Sequence, residues 1–193
     1  MLLISDRQST KYNGTKEEWN KIYLLDKLNT VVGFSGSSEG SRMIAETLRA
    51  NPSDQSFVEQ YCAAYRNVCT RSLTAQEREI QALCIVKRID SIESYRFTRD
   101  LYEFAVSRRP IGIGSGEHII RPQLARDTDS VNLETAIDFG KTLVEYASRV
   151  DSAVGPPSQF GFCLATVPLN EKVQVGTLAP QQVSLDKILY SFT

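Results

Sequence analysis

Apolar and polar positions along this chain change period several times, and each change marks an element. Met1 to Ser5 is an apolar run suited to a strand, after which Asp6-Arg7-Gln8-Ser9-Thr10 turns polar. Tyr12-Asn13-Gly14-Thr15 signals a turn, because Asn-Gly readily supplies positive φ. Ile22 to Leu25 and Thr30 to Phe34 predict two strands joined by a short, hairpin-like connection through Asp26-Lys27-Leu28-Asn29. From Ser37 the spacing becomes helical. Met43, Ile44, Thr47 and Leu48 recur on one stripe until Asn51-Pro52 stops it, and Phe57, Tyr61, Tyr65 and Val68 form the stripe of a second helix.

Strand character returns at Glu79 to Arg88, where Ala82 to Val86 is apolar on both faces and suits a strand covered on both sides. Ser94 to Ser107 reads as further strand, broken near Arg99-Asp100. Ile111 to Gly116 reads as a short strand running into a glycine-rich turn. The clearest helix carries Leu133, Ala136, Ile137, Gly140, Leu143, Val144 and Ala147 on one stripe, behind Asn132 as its cap. After Gly155-Pro156-Pro157, Phe160 to Val167 and Val173 to Leu178 predict a closing pair of strands. Strands, two helices, strands, then helix and strands is not the alternation of a parallel α/β fold. It predicts α+β, with stacked antiparallel sheets covered by helices.

No repeat, low-complexity tract or linker divides the 193 residues, so a single domain over 1–193 is expected. The 22 basic and 23 acidic residues nearly cancel, which argues against nucleic acid or an anionic membrane as the main partner. Cys62, Cys69, Cys84 and Cys163 form no CxxC pair, and His118 is the only histidine, so neither a metal site nor a cofactor is expected. The cysteines read as small core residues in a reducing compartment, and His118 as a surface residue. Met1-Leu-Leu-Ile-Ser-Asp lacks the features of a signal peptide, and no apolar run approaches bilayer length, so a cytoplasmic protein is expected.

Five segments, in order, carry a resemblance. They are Leu2-Leu-Ile-Ser-Asp-Arg-Gln-Ser-Thr10, Asn20-Lys21-Ile22, Val32-Gly-Phe-Ser-Gly-Ser-Ser38, Ile113-Gly-Ser-Gly116 and Val150-Asp-Ser-Ala-Val-Gly155. Together they resemble the proteasome family of N-terminal-nucleophile hydrolases, of the beta-type and HslV-like kind. The resemblance implies a four-layer αββα sandwich whose first strand is missing from this sequence. In that family an N-terminal threonine hydroxyl attacks the peptide carbonyl and its own α-amine takes the proton. By resemblance Lys21 lowers the hydroxyl's proton affinity, Asp6 holds Lys21, and Gly36 supplies the oxyanion N–H, while Ser115 and Asp151 complete the hydrogen-bonding ring. Val154 stands where the family places a second serine.

Read alone, the same residues have plainer roles. Lys21 is a solvated charge, Asp6 caps a turn, Ser115 satisfies a backbone group, and the glycines permit tight geometry. The sequence begins inside the second strand of the family pattern, and removing Met1 would expose Leu2, which cannot attack a carbonyl. A strand lost from mid-sheet would also leave unpaired N–H and C=O groups.

Three functional expectations follow. The first is an inactive, proteasome-like subunit that assembles into a ring-like homo- or hetero-oligomer. The second is a threonine-type endopeptidase, acting on peptides or unfolded proteins, whose true N-terminus lies upstream. The third is an amidase of the same fold acting on a small molecule.

Overall fold

Helices and strands form where the two hydrophobic periods lie. The computed structural model describes residues 1–11, 13–53, 55–71, 74, 78–104, 111–124, 132–168 and 170–178. The chain opens with β1 (Leu2–Asp6), β2 (Gln8–Thr10), β3 (Lys16–Glu18), β4 (Ile22–Leu25), a 3-10 turn (Asp26–Leu28) and β5 (Thr30–Gly36). Next come α1 (Ser38–Ala50), α2 (Phe57–Thr70), β6 (Ile80–Lys87), β7 (Ile92–Thr98) and β8 (Leu101–Phe104). The rest is α3 (Glu117–Leu124), α4 (Leu133–Val150), α5 (Pro157–Phe160), β9 (Phe162–Thr166) and β10 (Gln174–Leu178). The fold is α+β, and the strand pairings described are antiparallel.

Two compact units share these elements. One comprises Met1–Ile22, Ser107–Pro168 and Lys172–Thr193, and the other Tyr23–Val106 with Leu169–Glu171. The first contains a sheet of order β1-β9-β10 and the β2-β3 hairpin. β1 pairs directly with β9, from Leu2 opposite Thr166 to Asp6 opposite Phe162. There is therefore no gap between these two strands, and among the described residues β1 lies at the sheet's edge. Leu2 and Ile4 pack with Val144 against buried Ile137, Phe162 and Leu164, which seats α4 on β1. Gly140 makes that approach possible, since a Cβ there would stand 2.7 Å from Ile4 Cγ2.

The second unit contains the sheet β4-β5-β6-β7-β8. Its two helices carry the caps their sequences offer. Ser37 accepts from Gly40 N at the start of α1, and Ser56 with Glu59 forms a capping box on α2. Tyr61, wholly buried on α2, stacks on Phe97 of β7 with ring centroids 3.9 Å apart.

The expected break near Arg99-Asp100 is real, and Arg99 has φ +61°. Positions 105–107 of that expected run, and Tyr12 of the expected turn, lie outside the described residues. Two expectations need correction. Ile111 to Ile113 form no strand, because glycine at 112 and 114 weakens strand formation and Gly114 turns at φ +93°. The β2-β3 hairpin was hidden in the polar segment after Asp6, because three-residue strands of Gln, Ser, Thr, Lys and Glu carry no hydrophobic alternation.

Candidate functional site

Asp6 is the last residue of β1, and its carboxylate accepts four hydrogen bonds from three groups. Lys21 Nζ donates to Oδ1 at 2.8 Å and Oδ2 at 2.9 Å. The backbone N–H groups of Gln8 and Gly155 each donate to Oδ2 at 3.0 Å. Both charged side chains are nearly withdrawn from water, at 12% exposure for Lys21 and 11% for Asp6. Burying two charges costs several kcal/mol each, so a pair persists only where hydrogen bonds satisfy both ions, as the backbone donors do here for Asp6.

The turn after α4 closes over this pair. Asp151 caps α4, and its Oδ1 accepts from Ala153 N at 2.8 Å, which folds residues 151–154 into a tight turn. Ser152 O then accepts from Gln8 Nε2 and from Lys16 Nζ, both at 2.9 Å. Ser115, exposed and just ahead of α3, hydrogen-bonds Asp151. That bond, first, and the Ala153 N–H, with the nearby His118 and Lys16 charges, hold the Asp151 carboxyl below the usual carboxylate range. His118 is exposed.

At Val154 the structure shows a methyl contact. A Cβ on Gly116 would meet Val154 Cγ2 at 2.9 Å and Ala147 Cβ at 3.2 Å, so the start of α3 lies tight against the end of α4. Asp6, Lys21, Ser115 and Asp151 thus fall in one unit, joined through the 151–155 turn. Gly36 belongs to the other unit. It ends β5 opposite Ile80 with φ +99°.

Sequence reasoning missed Gln8 and Gly155. Both lie in segments that carry the resemblance, yet no role attaches to either there, because their partners lie 144 and 149 positions away in the chain. Other chemistry is less promising. Cys163 is fully buried, its thiol donates to Asn20 Oδ1 at 3.0 Å, and burial pushes its pKa up against the pull of nearby N–H groups and cations. It remains a neutral thiol near pH 7. Among the described residues, no cluster of three or more His, Cys, Asp or Glu could hold a metal, and no helix is long and apolar enough to cross a membrane. A cavity of about 240 Å³ between α1 and α2, lined by Thr47, Asn51, Gln55, Gln60 and Asn67 among others, touches none of the expected site residues.

Ser115→Ala offers a direct check of the Asp151 environment. A carboxyl held below its unfolded pKa of about 3.9 contributes stability above that pH and loses it as pH falls through the native value. Removing the hydroxyl should therefore move the Asp151 titration upward, as read by carboxyl-carbon NMR. An unmoved titration would mean that the Ser115 bond is absent in solution.

No protein-family model matches the sequence, nor does any curated protein. Solved structures do match. Over 94% of this chain and 84% of its own length, Anbu (ancestral beta-subunit) from Yersinia bercovieri superposes with a TM-score of 0.75 at 16% identity. This chain shares the Anbu fold. A second structure, the helical assembly of the Anbu complex from Pseudomonas aeruginosa, gives a TM-score of 0.74 at 13% identity, covering 97% of this chain and 86% of that one. The expected beta-type or HslV-like resemblance is corrected accordingly, since Anbu is proteasome-like but distinct. The physical reason is that the short Gly, Ser and Asp patterns serve turns and a buried ion pair. They report the shared backbone rather than the branch that uses it.

Proposed function

We propose that this chain is a proteasome-related subunit of Anbu architecture that works as an oligomer, with Asp6, Lys21, Ser115 and Asp151 as the supporting half of an amide-hydrolysing site. The four-layer αββα sandwich is part of the same proposal, supported by the likeness to the Yersinia Anbu structure over 94% of the chain. The observation that carries the functional reading is the Lys21–Asp6 pair. A lysine needed only for solubility stays in water, whereas this one is held in place by a carboxylate that two backbone N–H groups fix in turn.

An ammonium held rigidly beside a hydroxyl favours its ionised form and so assists attack on an amide carbonyl. The reading assigns the attacking hydroxyl to an N-terminal threonine and the proton to that residue's α-amine, whose ordinary pKa of about 8 suits a base near neutral pH. Gly36 N–H as oxyanion donor, and peptides or unfolded proteins as substrates, belong to this reading.

One observation favours a second reading, assembly without hydrolysis. Val154 puts a methyl group against Gly116 where the family pattern places a hydroxyl.

The test combines intact mass, native mass spectrometry and peptide hydrolysis on protein purified from its source. A threonine N-terminus, a high-order oligomer and a loss of at least about 100-fold in turnover for Lys21→Ala are expected. An oligomer without hydrolysis would select the second reading. A strict monomer at micromolar concentration would overturn both, and full turnover in Lys21→Ala would remove Lys21 from the site.

A further inference from the structure

Gln8 is buried to 2% exposure, yet its side chain is an amide. Burying an amide is costly unless its bonds are needed, because an apolar side chain of similar size fills the same space without desolvation. Two of the three bonds Gln8 makes lead to the Lys21–Asp6 pair and the turn over it. Gln8 N donates to Asp6 Oδ2, and Gln8 Nε2 donates to Ser152 O at 2.9 Å and to Thr10 Oγ1 at 3.2 Å. Gln8 Oε1 has no partner among the described residues, so the amide is retained for what its NH2 group holds.

The turn meets Gln8 from the other side at Gly155. A Cβ at 155 would stand 2.4 Å from Gln8 Cβ and 3.2 Å from Asp6 Oδ2, so only glycine lets the turn come close enough for Gly155 N to reach Asp6. The carboxylate that holds Lys21 is therefore itself held between Gln8 and the turn.

We propose that Gln8 is a positioning residue, which locks the turn after α4 onto Asp6 and so makes the placement of the Lys21 ammonium depend on that turn. Its meaning for hydrolysis rests on the reading above, but the lock itself can be measured without any turnover. The sequence contains a built-in control in Lys141, a second lysine withdrawn from water at 9% side-chain exposure, which pairs with Asp138 on α4 at 3.5 Å. A general loosening of the protein would expose both lysines, whereas loss of the lock would expose Lys21 alone.

The experiment is reductive methylation of the full chain with formaldehyde and borohydride, with rates at Lys21 and Lys141 followed by peptide mass spectrometry. For Gln8→Ala the rate at Lys21 should rise about 5-fold relative to Lys141, the factor that corresponds to one lost hydrogen bond. Gln8→Met keeps about the same volume without burying a charge but cannot donate to Ser152 O, and should give the same change if the alanine variant does not fold. Equal rises at both lysines, or no rise at Lys21, would overturn the proposal. Failure of the hydrolytic reading would appear elsewhere, as unchanged turnover in Lys21→Ala, and would leave these rates untouched.

Discussion

Asp6→Ala should lower the stability of this protein by about 3–5 kcal/mol, the cost of breaking a buried ion pair from one side. The reason lies less in the attraction lost than in what is stranded. Lys21, only 12% exposed, would be left with no carboxylate to meet it, and the N–H groups of Gln8 and Gly155 would both lose their acceptor. Asp6→Asn should cost less, because an amide oxygen can still accept from one backbone N–H. The double variant Asp6→Leu with Lys21→Met should also cost less than Asp6→Ala, since it buries no unpaired charge. Urea denaturation with an unchanged slope measures all three. A loss below about 1 kcal/mol for Asp6→Ala would place the pair with ordinary solvent-screened surface bridges.

Gly36→Ala should be the other severe substitution, on the order of 3 kcal/mol, for a different reason. Gly36 has φ +99°, and a Cβ there would lie 1.8 Å from the carbonyl oxygen of Glu79, with the Glu79 carbonyl carbon at 2.9 Å. Both atoms are backbone, so no rotamer change relieves the clash. Either β5 or the start of β6 must shift, and the pairing of Gly36 with Ile80 goes with it. Gly14→Ala is the control. Gly14 also has positive φ, at +79°, but nothing lies within 4 Å of its missing Cβ. It should lose only the conformational cost, about 1 kcal/mol. Equal losses at the two positions in thermal or urea unfolding would mean that backbone conformation, and not the Glu79 contact, governs Gly36.

Much of the candidate site was legible through resemblance, and only part of it through residue chemistry. Asp6 and Lys21 are 15 positions apart, and nothing in their local pattern distinguishes a buried pair from two solvated charges. Ser115 and Asp151 were likewise selected by pattern. Val154, noticed as a departure from serine, is explained by its contact with Gly116, which no spacing rule foresees.

The sequence by itself determined α1, α2, α4 and most of the strands, because hydrophobic period, Ser37, Ser56 and Asn132 as caps, and Asn51-Pro52 as a stop all act within a few residues of where they stand. It also determined where the chain must turn, at Asn29 and Arg99, whose positive φ follows from tight connections between strands. Only the tertiary structure decided what surrounds Asp6. Ile4 seats against Gly140, α4 thereby delivers its terminal turn to the end of β1, and Gly155 donates to a carboxylate 149 positions away. Such contacts depend on the packing of whole elements, whose energy is spread over many side chains, and no short window of sequence contains it.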